Sequence, residues 1–165
     1  MNNYSRDSGG GGYGGRGGPP PRRDEQDGNA VARALEGKEK IMLFSSGNKP
    51  SIRPQLLDGE AQDAAKSLKE VQLTQLRKNY APVVALKQRL EIDSTIADIE
   101  VQAQVAGMKA KAAYAGARKQ PIELVHLFVR ASNSIQTRED FLAFARHFEA
   151  IVAFHKVFVV EKKGN

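Results

Sequence analysis

Apolar residues in this chain recur at spacings of three, four and seven, and over no useful length do they alternate with polar ones. The clearest run is Thr137 to Phe158, where Phe141, Phe144, Phe148, Ile151 and Phe158 make one stripe wide enough to anchor a core. That stripe takes four of the seven phenylalanines. Its start is marked: Thr137 is placed to accept a hydrogen bond from a free amide of the first turn, and Glu139 and Asp140 set negative charge against the positive end of the helix dipole.

The same period runs through the preceding residues. Asp58 is a plausible cap for a short polar helix over about 59–70, and Thr74 for the next, where Leu76, Tyr80, Val83 and Leu90 share a face. Pro82 is expected to bend that helix, because proline lacks an amide hydrogen and crowds the carbonyl one turn back. From Ser94 to about Lys119 two apolar faces appear. Ala97, Val101, Val105, Met108 and Ala112 form one; Ile96, Ile99, Ala103, Ala106, Ala110, Ala113 and Ala117 form a smoother one, and such small side chains allow close approach, which predicts a place at the centre of a bundle. Pro121 opens a further helix through Ser132, burying Val125, Phe128 and Val129. The fold class is all-α, a compact bundle of about four to five helices.

The first 29 residues change the picture. They hold nine of the fifteen glycines and three of the seven prolines, with almost nothing to bury, so a disordered Gly/Arg/Pro-rich tail is expected there. Residues 30–57 read as a connector with a possible short helix in the A-V-A-R-A-L-E run. The helical domain is then 58–160, with a flexible C-terminus over 161–165. Within the tail, Arg6, Arg16, Arg22 and Arg23 balance Asp7, Asp24, Glu25 and Asp27, so the formal net charge of +6 belongs to the remaining residues.

A basic folded domain favours polyanions, since every neutralised phosphate releases condensed counterions. No apolar run approaches membrane-spanning length. There is no cysteine, which excludes disulfides and thiolate metal sites and fits a cytoplasmic location, and M-N-N-Y-S-R-D lacks the apolar core of a secretory signal.

Catalytic chemistry is poorly supplied. His126, His147 and His155 stand in no H-x-x-x-H or H-E-x-x-H relation, so no metal, cofactor or catalytic residue is assigned; His147 and His155 read as polar-face or half-buried helix residues. Asp93, Asp98 and Glu100 are best placed as favourable charge near a helix start. The tail run G-G-G-G-Y-G-G-R-G-G is similar to RGG segments that contact unpaired RNA, but it is no phosphate-binding loop. More informative are cations at helical spacing. Lys111 and Arg118 are seven apart with Tyr114 beside them, Lys78 and Arg89 share a direction, and Arg77, Lys87, Lys109, Lys119, Arg146 and Lys156 add distributed positive charge. Tyr80 and Tyr114 read as core residues with an exposed hydroxyl.

Three segments together carry a family resemblance: F-x-x-F-x-x-x-F-E-A-I-V-A-F-H-K at Phe141 to Lys156, L-T-Q-L-R-K-N-Y at Leu73 to Tyr80, and M-K-A-K-A-A-Y-A-G-A-R at Met108 to Arg118. In this order and spacing, over roughly residues 60–158, the chain resembles the small subunit of type III-A CRISPR effector complexes, the Csm complexes. It has Phe154 where that family more often has tyrosine, and Gly116 and Ala117 where a glycine more often stands directly before the arginine. The resemblance implies a non-catalytic, all-helical RNA-binding subunit of an antiviral ribonucleoprotein. Its partners would be guide RNA, target RNA, the backbone and large subunits, and further copies of itself.

Carried onto matching positions, the resemblance makes Arg77, Lys78, Lys111, Arg118, Arg146 and Lys156 the RNA-facing candidates. Guide pairing would supply sequence specificity, leaving the subunit to read backbone and shape. Two alternatives stand beside it: the small subunit of a type III-B complex, and a stand-alone nucleic-acid chaperone acting through its tail. A helical hydrolase or nuclease built on His147 and His155 is a third, weaker class.

Overall fold

The computed structural model describes residues 23–46, 51–118 and 121–161. Most of the expected N-terminal tail, Lys119 and the last four residues lie outside the described residues. Seven helices are described: α1 (Arg23–Leu35), α2 (Pro54–Leu57), α3 (Gly59–Ser67), α4 (Leu73–Ile92), α5 (Asp98–Gly116), α6 (Ile122–Ser134) and α7 (Arg138–Glu161). Among the described residues there is no strand, only an isolated bridge between Phe44 and Ile52. The all-α class stands, with a one-turn α2 and a longer α1 raising the number of helices above the expected four to five.

α7 forms as its sequence predicts. The hydroxyl of Thr137 accepts from the Asp140 amide at 3.2 Å while the Asp140 carboxylate accepts from the amides of Gln136 and Thr137, both at 2.9 Å. This reciprocal cap satisfies donors that a helix start leaves free. Asp98 adds a bond from outside, its carboxylate accepting from the Arg138 amide at 2.8 Å. Phe141, Phe144, Phe148 and Ile151 are fully buried, and Phe158 is partly so. Phe148 meets Tyr80 of α4 and Phe128 of α6 edge-on, with ring centres 5.4 and 5.7 Å apart.

α7, rather than α5, is the central helix: it packs on α2, α3, α4 and α5, and its rings meet α6. α4 runs antiparallel beside it, since Tyr80 touches Phe148 while Glu91 shares a depression with Glu139. α5 buries Val101, Val105, Met108 and Ala112 as expected, while Ala97, expected on the same face, precedes the helix and is exposed; the smoother face is mostly open, with Ile99 71% exposed and Ala103, Ala106 and Ala110 exposed too. Small apolar side chains permit close approach without requiring it; only larger side chains gain enough from burial to force a neighbour into place.

Other expected boundaries also move. α1 begins at Arg23, within the stretch assigned to the tail, because Val31 and Ala34 find an apolar seat against Val125 and Val129 of α6. Gly116 makes that seat possible, as a β-carbon there would stand 2.7 Å from Val125 Cγ2 and 3.1 Å from Val31 Cγ2. Asp58 precedes α3, yet its carboxylate accepts from the Gln62 side chain instead of capping an amide. Thr74 lies inside α4, which starts at Leu73 without a side-chain cap and passes through Pro82 as one element. α5 starts at Asp98 rather than Ser94, because Asp93 accepts from the amide and hydroxyl of Thr95 at 2.8 and 2.6 Å and holds residues 93–95 in a turn.

Candidate nucleic-acid interface

All six sequence-predicted cations are exposed: Arg77 and Lys78 in the first half of α4, Lys111 on α5, Arg118 just beyond its end, and Arg146 and Lys156 on α7. None of them has a carboxylate partner among the described residues. They share this with Lys40, Lys69, Lys109 and Arg130, and differ from four other cations. Arg89 pairs with Glu100 at 2.9 Å, Lys87 approaches Glu149 at 3.7 Å, Lys66 approaches Asp63 at 3.3 Å, and Arg53 pairs with Glu60. Lys78 and Arg89 therefore do not act alike, although helical spacing gave them one direction.

The six are spread over three helices rather than gathered in one pocket. The antiparallel pairing of α4 and α7 sets the Arg77–Lys78 end of α4 beside the Lys156 end of α7. Arg146 stands nearer the other end and borders two shallow depressions, one with Leu57, Glu149 and Ala153, the other with Lys87, Glu91 and Leu142.

On α5 the arrangement is more ordered. A guanidinium nitrogen of Arg118 donates to the Tyr114 hydroxyl at 2.7 Å, and its carbon lies 5.5 Å from the ring centre. Tyr114 is 65% exposed, so it is a surface ring steadied by a cation rather than the core residue expected. Tyr80 does lie against the core, and its phenol is pushed up by burial and then by the nearby Glu149 carboxylate.

His147 and His155 correct the sequence reading most clearly. Both are buried, at 4% and 0% exposure, and neither is a polar-face residue. Nδ1–H of His147 donates to the Leu56 carbonyl at 2.6 Å, and Nε2–H of His155 donates to the Leu68 carbonyl at 2.9 Å. Leu56 lies in α2 and Leu68 directly follows α3, so each imidazole serves a carbonyl at a helix end, the Leu68 carbonyl also accepting from the Val71 amide at 2.8 Å. Burial holds His147 below its ordinary value, against opposing contributions from the Leu56 hydrogen bond and Glu60. Each imidazole spends one ring nitrogen on a backbone carbonyl, and Nδ1 of His155 is buried without a hydrogen-bond partner. At the α5 start, the hydrogen bonds from Thr95 hold the Asp93 carboxyl below the usual carboxylate range, consistent with a turn-forming role.

Among the described residues no cluster of three or more His, Asp or Glu side chains could hold a metal ion, and no helix is long and apolar enough to cross a membrane. Over residues 51–161 the chain matches the family Csm2 Type III-A.

The chain belongs to that family.

No curated protein and no solved structure matched it. Csm2 membership makes it a type III-A small subunit, one component of the multi-subunit Csm complex. The matched stretch covers α2 through the end of α7, whereas α1 and the segment after it precede it. Both buried histidines and the six exposed cations fall inside the Csm2 stretch. Sequence reasoning passed over Arg130 and Lys40, for which helical periodicity offers no signal: Arg130 sits near the end of an otherwise apolar helix and Lys40 in a connector.

Proposed function

We propose that this Csm2 chain is a non-catalytic, cytoplasmic RNA-binding subunit that lies along the guide RNA–target RNA duplex and stabilises the assembled interference complex. The observation that carries this reading is the exposure of Arg77, Lys78, Lys111, Arg118, Arg146 and Lys156 without a carboxylate partner among the described residues. A cation already paired to a carboxylate gives up that attraction on binding phosphate; an unpaired one does not. Cations distributed over three helices suit an extended backbone rather than a compact ligand.

Tyr114 extends the reading. With Arg118 against it, the ring is held at low entropic cost and offers an exposed face to a ribose or base edge. Further copies of the chain along the same duplex, and contacts to the backbone and large subunits, complete the assignment.

The test is native purification of the complex from its host through a tag on this chain. Guide RNA and the other type III-A subunits are expected to copurify in stoichiometric amounts. Recovery of the chain without guide RNA or those subunits overturns the assignment, and recovery with type III-B subunits replaces it.

A further inference from the structure

One cleft is lined by none of the six cations. It has a volume of about 670 Å³ and is bounded by α3, α6, α7 and the connector after α1. Its front wall is a strap that begins at Gly37. The Asn133 side-chain amide donates to the carbonyls of Gly37 and Glu39 at 2.9 and 3.0 Å, and the Ser134 hydroxyl accepts from the Ile41 amide at 2.7 Å. Arg53 donates to the Met42 carbonyl at 2.8 Å. Four hydrogen bonds therefore pin the strap to α6 and to Arg53 just before α2, although its residues precede the stretch that matches the family.

The charges in the cleft do not cancel. Glu60 is taken by Arg53, and Asp63 by Lys66. That leaves Arg130 and Lys40, neither with a carboxylate partner among the described residues. Nε of Arg130 is buried and makes no hydrogen bond. A buried guanidinium N–H without an acceptor costs free energy that an anion would recover. His147 also lines the cleft, and burial favours its neutral form, so it adds no positive charge there.

We propose that this cleft binds a single nucleotide, with its phosphate on Arg130 and Lys40 and its base against Ile41 and Met42. Size supports the choice: 670 Å³ lies in the range of sites that enclose organic ligands and is far larger than a bare phosphate needs. Met42, 67% exposed at the mouth, supplies apolar surface that no anion alone would use. The site goes beyond the duplex reading and does not rest on it, because none of the six cations lines the cleft.

The test follows the Arg130 Nε–Hε and Met42 methyl resonances of the full-length chain during titration with AMP, adenosine and inorganic phosphate. AMP is expected to move both signals and to bind about tenfold more tightly than either fragment. Arg130→Met and Lys40→Met are each expected to weaken AMP by about tenfold. Lys40 is exposed, so its variant decides the matter if Arg130→Met does not fold. A 5′-phosphorylated RNA strand binding more tightly than both AMP and its 5′-hydroxyl counterpart identifies the ligand as a strand end; no gain over AMP identifies a free nucleotide. AMP that moves neither signal, binds no better than phosphate, or binds Lys40→Met as it binds the parent overturns the site.

Discussion

At the residue scale, the two buried imidazoles link sequence to stability. His147 is held neutral in the fold by burial, its folded value lying below the ordinary 6.5 of the unfolded chain. Below that ordinary value the unfolded state takes up a proton that the native state resists, so this contribution is present above about pH 6.5 and is lost as pH falls towards the folded value. Urea unfolding is therefore expected to show lower stability at pH 5.5 than at pH 7.5. His147→Asn, which keeps a donor for the Leu56 carbonyl without the titration, is expected to show a smaller pH difference; an equal one in parent and variant contradicts the assignment. Thr137 offers a second residue-scale test. Thr137→Ala removes the acceptor for the Asp140 amide and is expected to cost about 1 kcal/mol by denaturant midpoint at unchanged slope.

At the scale of elements, the phenylalanine stripe of α7 and the glycine of α5 do opposite work. Phe148 joins α4, α6 and α7 through ring contacts, so Phe148→Ala is expected to lose about 3–5 kcal/mol, measured by urea unfolding. Gly116 makes room for a neighbour. A methyl there collides with Val125 and Val31, so Gly116→Ala is expected to lift α1 from its seat, read as faster amide exchange in α1 while α7 stays protected.

The stripe and its cap were legible in the sequence because both are local: a 3.6-residue period and a capping pair three residues apart. The position of α5 was not, since small alanines have the right period without the bulk that demands cover. Nor were the roles of His147 and His155. Their partners are carbonyls 91 and 87 residues away in the chain, and no spacing rule links them. The candidate cations were legible as positions; their unpaired state emerged only once Arg89 and Lys87 were seen to have carboxylates of their own.

At the scale of the whole molecule, the excess of positive charge sits on a helical bundle, and six of its exposed cations have no carboxylate partner among the described residues. The central claim is that Lys111, Arg118 and the other unpaired cations hold an RNA backbone, and the salt dependence of binding tests it most directly, because each phosphate contact adds to the slope. Affinity for a guide–target RNA duplex would be measured across a salt series for the parent and for Lys111→Glu/Arg118→Glu. With helical content retained, the double variant is expected to bind more weakly and with a slope shallower by about two; a folded double variant with the parent's affinity and slope would contradict the account.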